Sequence, residues 1–363
     1  MRNRIIMLLA LSLVLFVFAF PDINAQQGKT KKRPLNIILF IGDGMGPSQV
    51  SAGIAVSDNT LVFERFKYSG YCKTSSFDRY VTDSAAAATA IACGVKTRNG
   101  MLGMSPDSTI VTSILEMAHR NGLATGLVST SAVTHATPAG FIAHNTARDN
   151  YEDIALDFMT GKADLFIGGG SSHFKKRKDG KDLTARLENM GYDVVYNLED
   201  LMKSTSVKLA GMLDEVHMAR SLDGRFGMLE AMTAKAIETL SRNKKGFFLM
   251  VEGSQIDFAG HSRDLNWQVS EVLDMERAVA WAYDFAEKDG NTLVIVTADH
   301  ETGGLALTGG KLSGNTIEGV YATNNHSAVM VPVFSYGPGA DRFTGIFDNT
   351  GFFPIFKELL RLK

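Results

Sequence analysis

Ser84 follows the short polar stretch Tyr80-Val81-Thr82-Asp83 and opens the run Ala85-Ala86-Ala87-Ala88-Thr89-Ala90, whose small residues favour helix. A serine there stands at a helix N-terminus, where unpaired backbone N–H groups and the macrodipole favour an anion. A hydroxyl so placed can attack an anionic centre, although the same pattern also describes an ordinary N-cap. Residues far away in sequence add a second chemistry. Asp257 and His261 lie four apart, which on a helical turn puts an oxygen and a nitrogen ligand on one face. The same spacing also serves a plain surface hydrogen bond. Glu252 stands five before Asp257, Asp299 and His300 are adjacent on a turn, and His326 sits in Asn325-His326-Ser327. Asp43, in Gly42-Asp43-Gly44-Met45-Gly46, has glycines that let other groups approach its carboxylate, which suits a hard or borderline cation. That segment lacks the G-x-G-x-x-G spacing of a dinucleotide site, and Asp43 would set negative charge beside a pyrophosphate. Cation-assisted attack on an anionic centre is the chemistry these residue types share.

Such residues need a frame. Apolar, β-branched runs at 35–41, 124–129, 165–167, 194–196, 247–251, 292–297 and 331–336 read as buried strands. Segments 109–120, 226–242 and 266–287 carry helical periodicity. In the second, Met228, Leu229, Met232, Ala236, Ile237 and Leu240 share one face and are expected to pack in the core. The alternation predicts an α/β fold: a single large domain with a central, mostly parallel sheet flanked by helices on both faces. Asp43, Glu252 and the Asp299-His300 pair each follow a strand. Sites in open α/β sheets form outside the carboxyl ends of strands, so these three ends point to one shared site.

Composition narrows the class. Residues 1–25 read as a secretory signal peptide: Arg2 and Arg4 precede an apolar run at 5–20 broken only by Ser12, and Ile23-Asn24-Ala25 offers a small residue for cleavage. The run is shorter than the ~20 residues of a spanning helix, so no membrane span is expected in the mature form; an uncleaved anchor is the alternative. Residues 26–34 form a polar, flexible lead-in, and 35–363 the catalytic domain. With 37 Lys+Arg against 39 Asp+Glu, and no basic run beyond the leader, nothing suggests nucleic-acid binding. Two cysteines are too few for a disulfide framework; Cys72 and Cys93 either pair or stay free.

Taken in order, Asp43-Gly44, Asp83-Ser84-Ala85, His135-Ala136-Thr137-Pro138, His144 with Arg148, Glu252…Asp257…His261, Thr297-Ala298-Asp299-His300 and His326 resemble the alkaline phosphatase family. The resemblance runs from Asn36 to about Gly337. It implies two zinc ions and one magnesium ion. Asp257, His261 and His326 would hold the first zinc; Asp43, Asp299 and His300 the second, with Ser84 as its reactive ligand; Asp43, Thr137 and Glu252 the magnesium. Arg148 would clamp phosphate oxygens, and His135 would contact either the magnesium waters or the substrate. It further implies hydrolysis of phosphate monoesters to an alcohol and inorganic phosphate through phosphoserine at Ser84, in a periplasmic or secreted enzyme that is monomeric or homodimeric. The donor types agree, since zinc takes imidazole nitrogen and carboxylate oxygen while magnesium prefers oxygen. His144 is expected to be structural, and His119, His173 and His217 to be solvated.

The chain also departs from the family pattern. Phe258 stands where some members carry a lysine, and the segment 304–325 is short where many insert a crown subdomain, so the crown is expected to be much reduced. Three other readings compete. A related phosphodiesterase or nucleotide pyrophosphatase would carry a threonine nucleophile and lack the magnesium residues. A sulfatase would need a C/S-x-P-x-R pattern, which Ser84-Ala85-Ala86 lacks. A non-catalytic periplasmic phosphate-binding protein would need neither a nucleophile nor three sets of cation ligands.

Overall fold

The apolar run at the start of the domain becomes β1 (Asn36–Gly42), buried along its whole length, as a strand covered on both faces must be. The computed structural model describes residues 33–363; the expected leader and nearly all of the lead-in lie outside the described residues. Beside β1 run β7 (Phe247–Gly253) and β8 (Thr292–Thr297), both parallel to it. Parallel pairing continues outward from β7 through β3 (Ala124–Ala132), β4 (Leu165–Gly169), β6 (Leu209–Met212) and β5 (Asp193–Val195). On the other side of β8 lie β13 (Val331–Tyr336), β2 (Tyr68–Lys73) and β14 (Gly345–Asp348), and β13 is antiparallel to both of its neighbours. The result is one ten-stranded, mostly parallel sheet in the order β14-β2-β13-β8-β1-β7-β3-β4-β6-β5. The expected fold class is the observed one.

The differences are local. Strands β2, β6 and β14 were not expected from the sequence. In β2 (Tyr-Ser-Gly-Tyr-Cys-Lys), exposed positions alternate with half-buried ones and the buried Cys72, which leaves no continuous apolar run to detect. The helix expected over 109–120 begins only at Ile114. Ser113 caps it, with its hydroxyl on Glu116 N and the Glu116 carboxylate on Ser113 N. The expected 266–287 helix spans Leu265–Asp289, capped by Asp264 and stopped by Gly290 in the left-handed region at φ 65°. It packs against β1, β7 and β8, the three strands whose ends carry the acidic residues.

Register places those ends side by side. Ile41 is level with Glu252 on one flank and with Thr297 on the other, so Asp43, Glu252 and Asp299 emerge from one edge of the sheet. Beyond β8 come the two-residue strand β9 (Glu301–Thr302), the hairpin of β10 (Leu305–Lys311) and β11 (Thr316–Tyr321), and β12 (His326–Ser327). The hairpin occupies the place of the expected crown. Strand β12 pairs with β9, which puts His326 opposite Thr302. Among the described residues no helix is long and apolar enough to cross a membrane.

Candidate active site and metal centre

The helix Ser84–Cys93 is buried at every position, and its N-cap is Asp83 rather than Ser84. One Asp83 oxygen accepts from Ala86 N (3.0 Å), while the other accepts from Gly100 N (2.9 Å) and from Arg148 Nη1 (3.1 Å). With the cap supplied by its neighbour, the Ser84 hydroxyl has no capping role. It is 1% exposed, and its Oγ lies 3.2 Å from His300 Nε2.

Around it the fold gathers three groups of possible ligands. Asp257, His261 and His326 form one; Asp43, Asp299 and His300 a second; Asp43, His135 and Glu252 a third, and in each the ligand atoms lie within 4.8 Å of one another. Thr137 lies beside Glu252 without hydrogen-bonding to it. Asp43 belongs to two groups, because its turn follows the central strand β1.

Hydrogen bonds around these groups aim lone pairs inward. His261 Nδ1 donates to Asn324 O (2.7 Å) and His326 Nδ1 to Thr82 O (2.8 Å), so the neutral form of each ring has its lone pair on Nε2. Those two nitrogens are 3.2 Å apart, and they lie 3.3 and 3.4 Å from Asp257 Oδ1. Asp299 Oδ1 accepts from Gly44 N and His300 N, which leaves Oδ2 without a partner. Glu252 Oε2 accepts from Ser254 Oγ (2.7 Å) and Ser131 Oγ (3.2 Å), and Oε1 is unpartnered. Both Asp43 oxygens and Thr137 Oγ1 also lack partners. Buried acceptors are nearly always satisfied, so this concentration of orphans fits bound cations.

Charge says the same. Burial, followed by the charges of Asp299, Asp257 and Glu252, raises the Asp43 carboxyl well above its usual range. Burial pushes Glu252 up to about 7, and the hydrogen bond to Asp257 pushes His261 up to about 9. The centre lacks positive charge that protons supply poorly. Nitrogen–oxygen donor sets in the first two groups suit zinc, and the oxygen donors Asp43, Glu252 and Thr137 suit a harder ion.

A protein-family model described as alkaline phosphatase matches residues 34–320. The chain belongs to the alkaline phosphatase family. Alkaline phosphatase 4 of Bacillus subtilis (strain 168) is 33% identical to it, over 96% of this chain and 95% of that protein. The solved alkaline phosphatase of the Antarctic bacterium TAB5 superposes with a TM-score of 0.87 at 40% identity, covering 92% of this chain and 99% of that one. A variant of the TAB5 enzyme has been solved with magnesium bound in a site called M3.

In this alkaline phosphatase Arg148 and His135 lie side by side next to Asp83 and the third group. Arg148 Nη2 reaches His135 Nε2 at 3.3 Å. A guanidinium only donates, so that nitrogen accepts and Nδ1 carries the proton. Burial, then the charge of Arg148, holds His135 neutral, with its pKa down at about 3. As placed, its unpartnered Nδ1–H offers the third group a donor rather than a lone pair. A mouth of about 610 Å³ opens over the centre, lined by Arg79, Tyr80, Thr82, Arg148, His261 and His326 among others.

Two histidines expected to be solvated are not. His217 Nδ1 accepts from Ala132 N (3.1 Å) at the end of β3, and its ring packs edge-on against His135 (5.4 Å) and Phe258 (5.1 Å). His173 contacts Thr134 Oγ1 at 2.6 Å and stacks on Tyr151 at 4.8 Å. Only the tertiary fold creates these partners. Phe258 supplies an apolar wall beside His135 (5.7 Å). Cys72 and Cys93 are free and buried.

His144 is structural, as expected. Its Nδ1 donates to Gly103 O (2.8 Å), and its Nε2 lies 3.2 Å from Glu116 Oε1, which also pairs with Lys162 (2.6 Å). Burial opposes ionisation of Glu116, but these two partners outweigh it and hold the carboxyl at about 2. A depressed carboxyl contributes stability that is present above its unfolded value and lost as pH falls through the folded one. Glu116→Gln should therefore cost roughly 2–4 kcal/mol at neutral pH, leaving the cation content unchanged. Its stability difference from wild type should shrink as pH drops from about 4.5 towards 2, as read by denaturant unfolding across that range. A difference that stays constant would show that the Glu116 charge is not what is lost.

Proposed function

We propose that this alkaline phosphatase cleaves phosphate monoesters through a phosphoserine at Ser84. In this reading zinc sits on Asp257, His261 and His326 and on Asp43, Asp299 and His300, with magnesium on Asp43, Thr137 and Glu252. One observation carries it: a serine hydroxyl freed from capping, buried at a helix N-terminus and 3.2 Å from His300 Nε2. Bound zinc supplies Lewis acidity, which lowers the pKa of an attacking oxygen and takes up charge on a departing one.

The chain's own residues do the rest. Ser84 Oγ bonds to phosphorus and gives up its proton to solvent while the ester P–O bond breaks and the alcohol leaves, taking a proton that solvent supplies. Water then attacks the phosphoserine, inorganic phosphate departs, and the Ser84 hydroxyl is restored. The positive end of the Ser84 helix dipole favours the charge that develops on the phosphoryl oxygens. Arg148 adds a planar, always-charged fork held in place by Asp83. A monoester dianion gains more from that fork than a diester monoanion does. His135 donates Nδ1–H towards the third group, on the side of its water or the substrate.

Support for magnesium in the third group comes from the oxygen donors Asp43, Thr137 and Glu252. Ser84, Thr137, Glu252 and Arg148 together favour the monoesterase over the diesterase reading. Residues 1–25 would direct export to the periplasm or beyond and then be removed, a reading that rests on the basic start and apolar run alone. The test is a rate ratio. Turnover of p-nitrophenyl phosphate should exceed that of bis(p-nitrophenyl) phosphate by orders of magnitude on a preparation whose zinc and magnesium are measured by mass spectrometry. Comparable rates would favour a diesterase, and no release from either ester would leave a phosphate binder.

A further inference from the structure

We propose that Thr302 is a positioning residue that ties the two histidine-containing cation groups together through a single hydroxyl. The inference rests on the reading that those groups hold cations. Thr302 is fully buried in β9, and its backbone is held on both sides: Thr302 N donates to Gly44 O (3.2 Å), and Thr302 O accepts from Gln49 Nε2 (3.0 Å). Its partner across the strand pair is His326. The turn carrying Asp43 presses close. Gly44 has φ +76°, and a Cβ there would lie 2.7 Å from Thr302 Oγ1, so glycine is required for this approach.

The hydroxyl has one proton and two neighbours. Thr302 Oγ1 donates to Asp257 Oδ1, and it lies 3.2 Å from His300 Nδ1. An ionised carboxylate only accepts, so the hydroxyl proton goes to Asp257. A lone pair of the same oxygen is then left for His300, whose Nδ1 must carry the ring proton. His300 Nε2 is thereby left bare, and it faces Ser84 Oγ (3.2 Å), Asp299 Oδ2 (3.1 Å) and Asp43 Oδ1 (3.4 Å). Asp257 Oδ1, the oxygen that Thr302 orients, is also the one facing the Nε2 atoms of His261 and His326. One hydroxyl thus sets the tautomer of a ligand in one group and the aim of a carboxylate in the other.

Zinc alone is the probe. Wild type, Thr302→Val and Thr302→Ser are stripped with chelator, checked by circular dichroism, and titrated with zinc against a chromophoric competitor. Thr302→Val has nearly the same shape without the hydroxyl, and should lose about 10–100-fold in affinity at both histidine-containing groups, the range for removing a partner of a metal ligand. Thr302→Ser keeps the hydroxyl and should bind close to wild type. Should the valine variant not fold, Thr302→Ala, with no branched methyl to misfit, is read in its place. Wild-type affinity in Thr302→Val, a loss confined to one group, or equal losses in the serine and valine variants would overturn the inference. Wild-type protein that bound no zinc would instead bring down the proposed function beneath it.

Discussion

Ser84→Ala is expected to abolish phosphate transfer to the protein while the chain keeps its fold and its cations. The cap of the helix belongs to Asp83, which bonds Ala86 N and is untouched by the change. An alanine at position 84 continues a run of buried alanines and has the highest helix propensity, so stability should stay close to wild type. Every group in the three candidate cation sets also remains. What disappears is the atom that bonds to phosphorus, and removing a covalent nucleophile lowers turnover by ~10³-fold or more. The measurement is an acid quench of wild type incubated with inorganic phosphate, followed by peptide mass spectrometry. Phosphate should appear on Ser84 and on no other residue, and the alanine variant should carry none. Phosphate elsewhere, undiminished turnover in the variant, or zinc lost together with the hydroxyl would each remove the mechanism.

That prediction can be stated so sharply because an ambiguity in the sequence is resolved by a partner far along the chain. Asp83-Ser84 before an alanine run suits either residue as the cap. Arg148, 65 positions later, and Gly100 N occupy one Asp83 oxygen and leave the other to Ala86 N, which makes Asp83 the cap. The candidate ligands were legible for a different reason. Asp43, Glu252, Asp299 and His300 each follow a long apolar run, and parallel strands buried on both faces announce themselves by such runs. Strand ends then converge by topology, which needs no further side-chain information. The half-exposed strands β2 and β14, at one end of the sheet, give no comparable signal, and the two residues of β9 are too few for any periodicity. Thr302 and His217 were invisible for the same cause. Their roles come from Asp257, 45 residues away, and Ala132, 85 residues away, and a lone threonine or histidine in a polar stretch carries no trace of such partners.

Stripping the cations should destabilise the fold as well as silence it, and the loss should grow as pH rises. Four buried carboxylates, Asp43, Glu252, Asp257 and Asp299, are then left to protons and neighbouring histidines. Asp43 is held well above the usual carboxylate range, and burial lifts Glu252 from 4.5 to about 7. His261 rises from 6.5 to about 9 through its hydrogen bond to Asp257. For each of these groups the cation-free fold holds a proton that the unfolded chain has already released. Stability therefore falls as pH climbs, from above 4.5 to about 7 for Glu252 and from 6.5 to about 9 for His261. Asp257 and Asp299 run the other way. Burial raises them, but hydrogen bonds from His261 and His326 bring Asp257 below 3.8 and the neighbouring His300 does the same for Asp299, so their contribution is complete before this window begins. The cation-loaded protein should vary little over the same range, because metal charge rather than protons neutralises the carboxylates. Cations that bind only the folded chain add about 4 kcal/mol at a thousand-fold excess over Kd. Calorimetric melting from about pH 5 to 9, with chelator and after zinc and magnesium are returned, should show a gap in Tm that widens with pH while turnover is lost and regained alongside it. A gap that stayed constant or narrowed would mean that these carboxylates are not the groups the cations neutralise, and full turnover in chelator would deny the cations any part in the reaction.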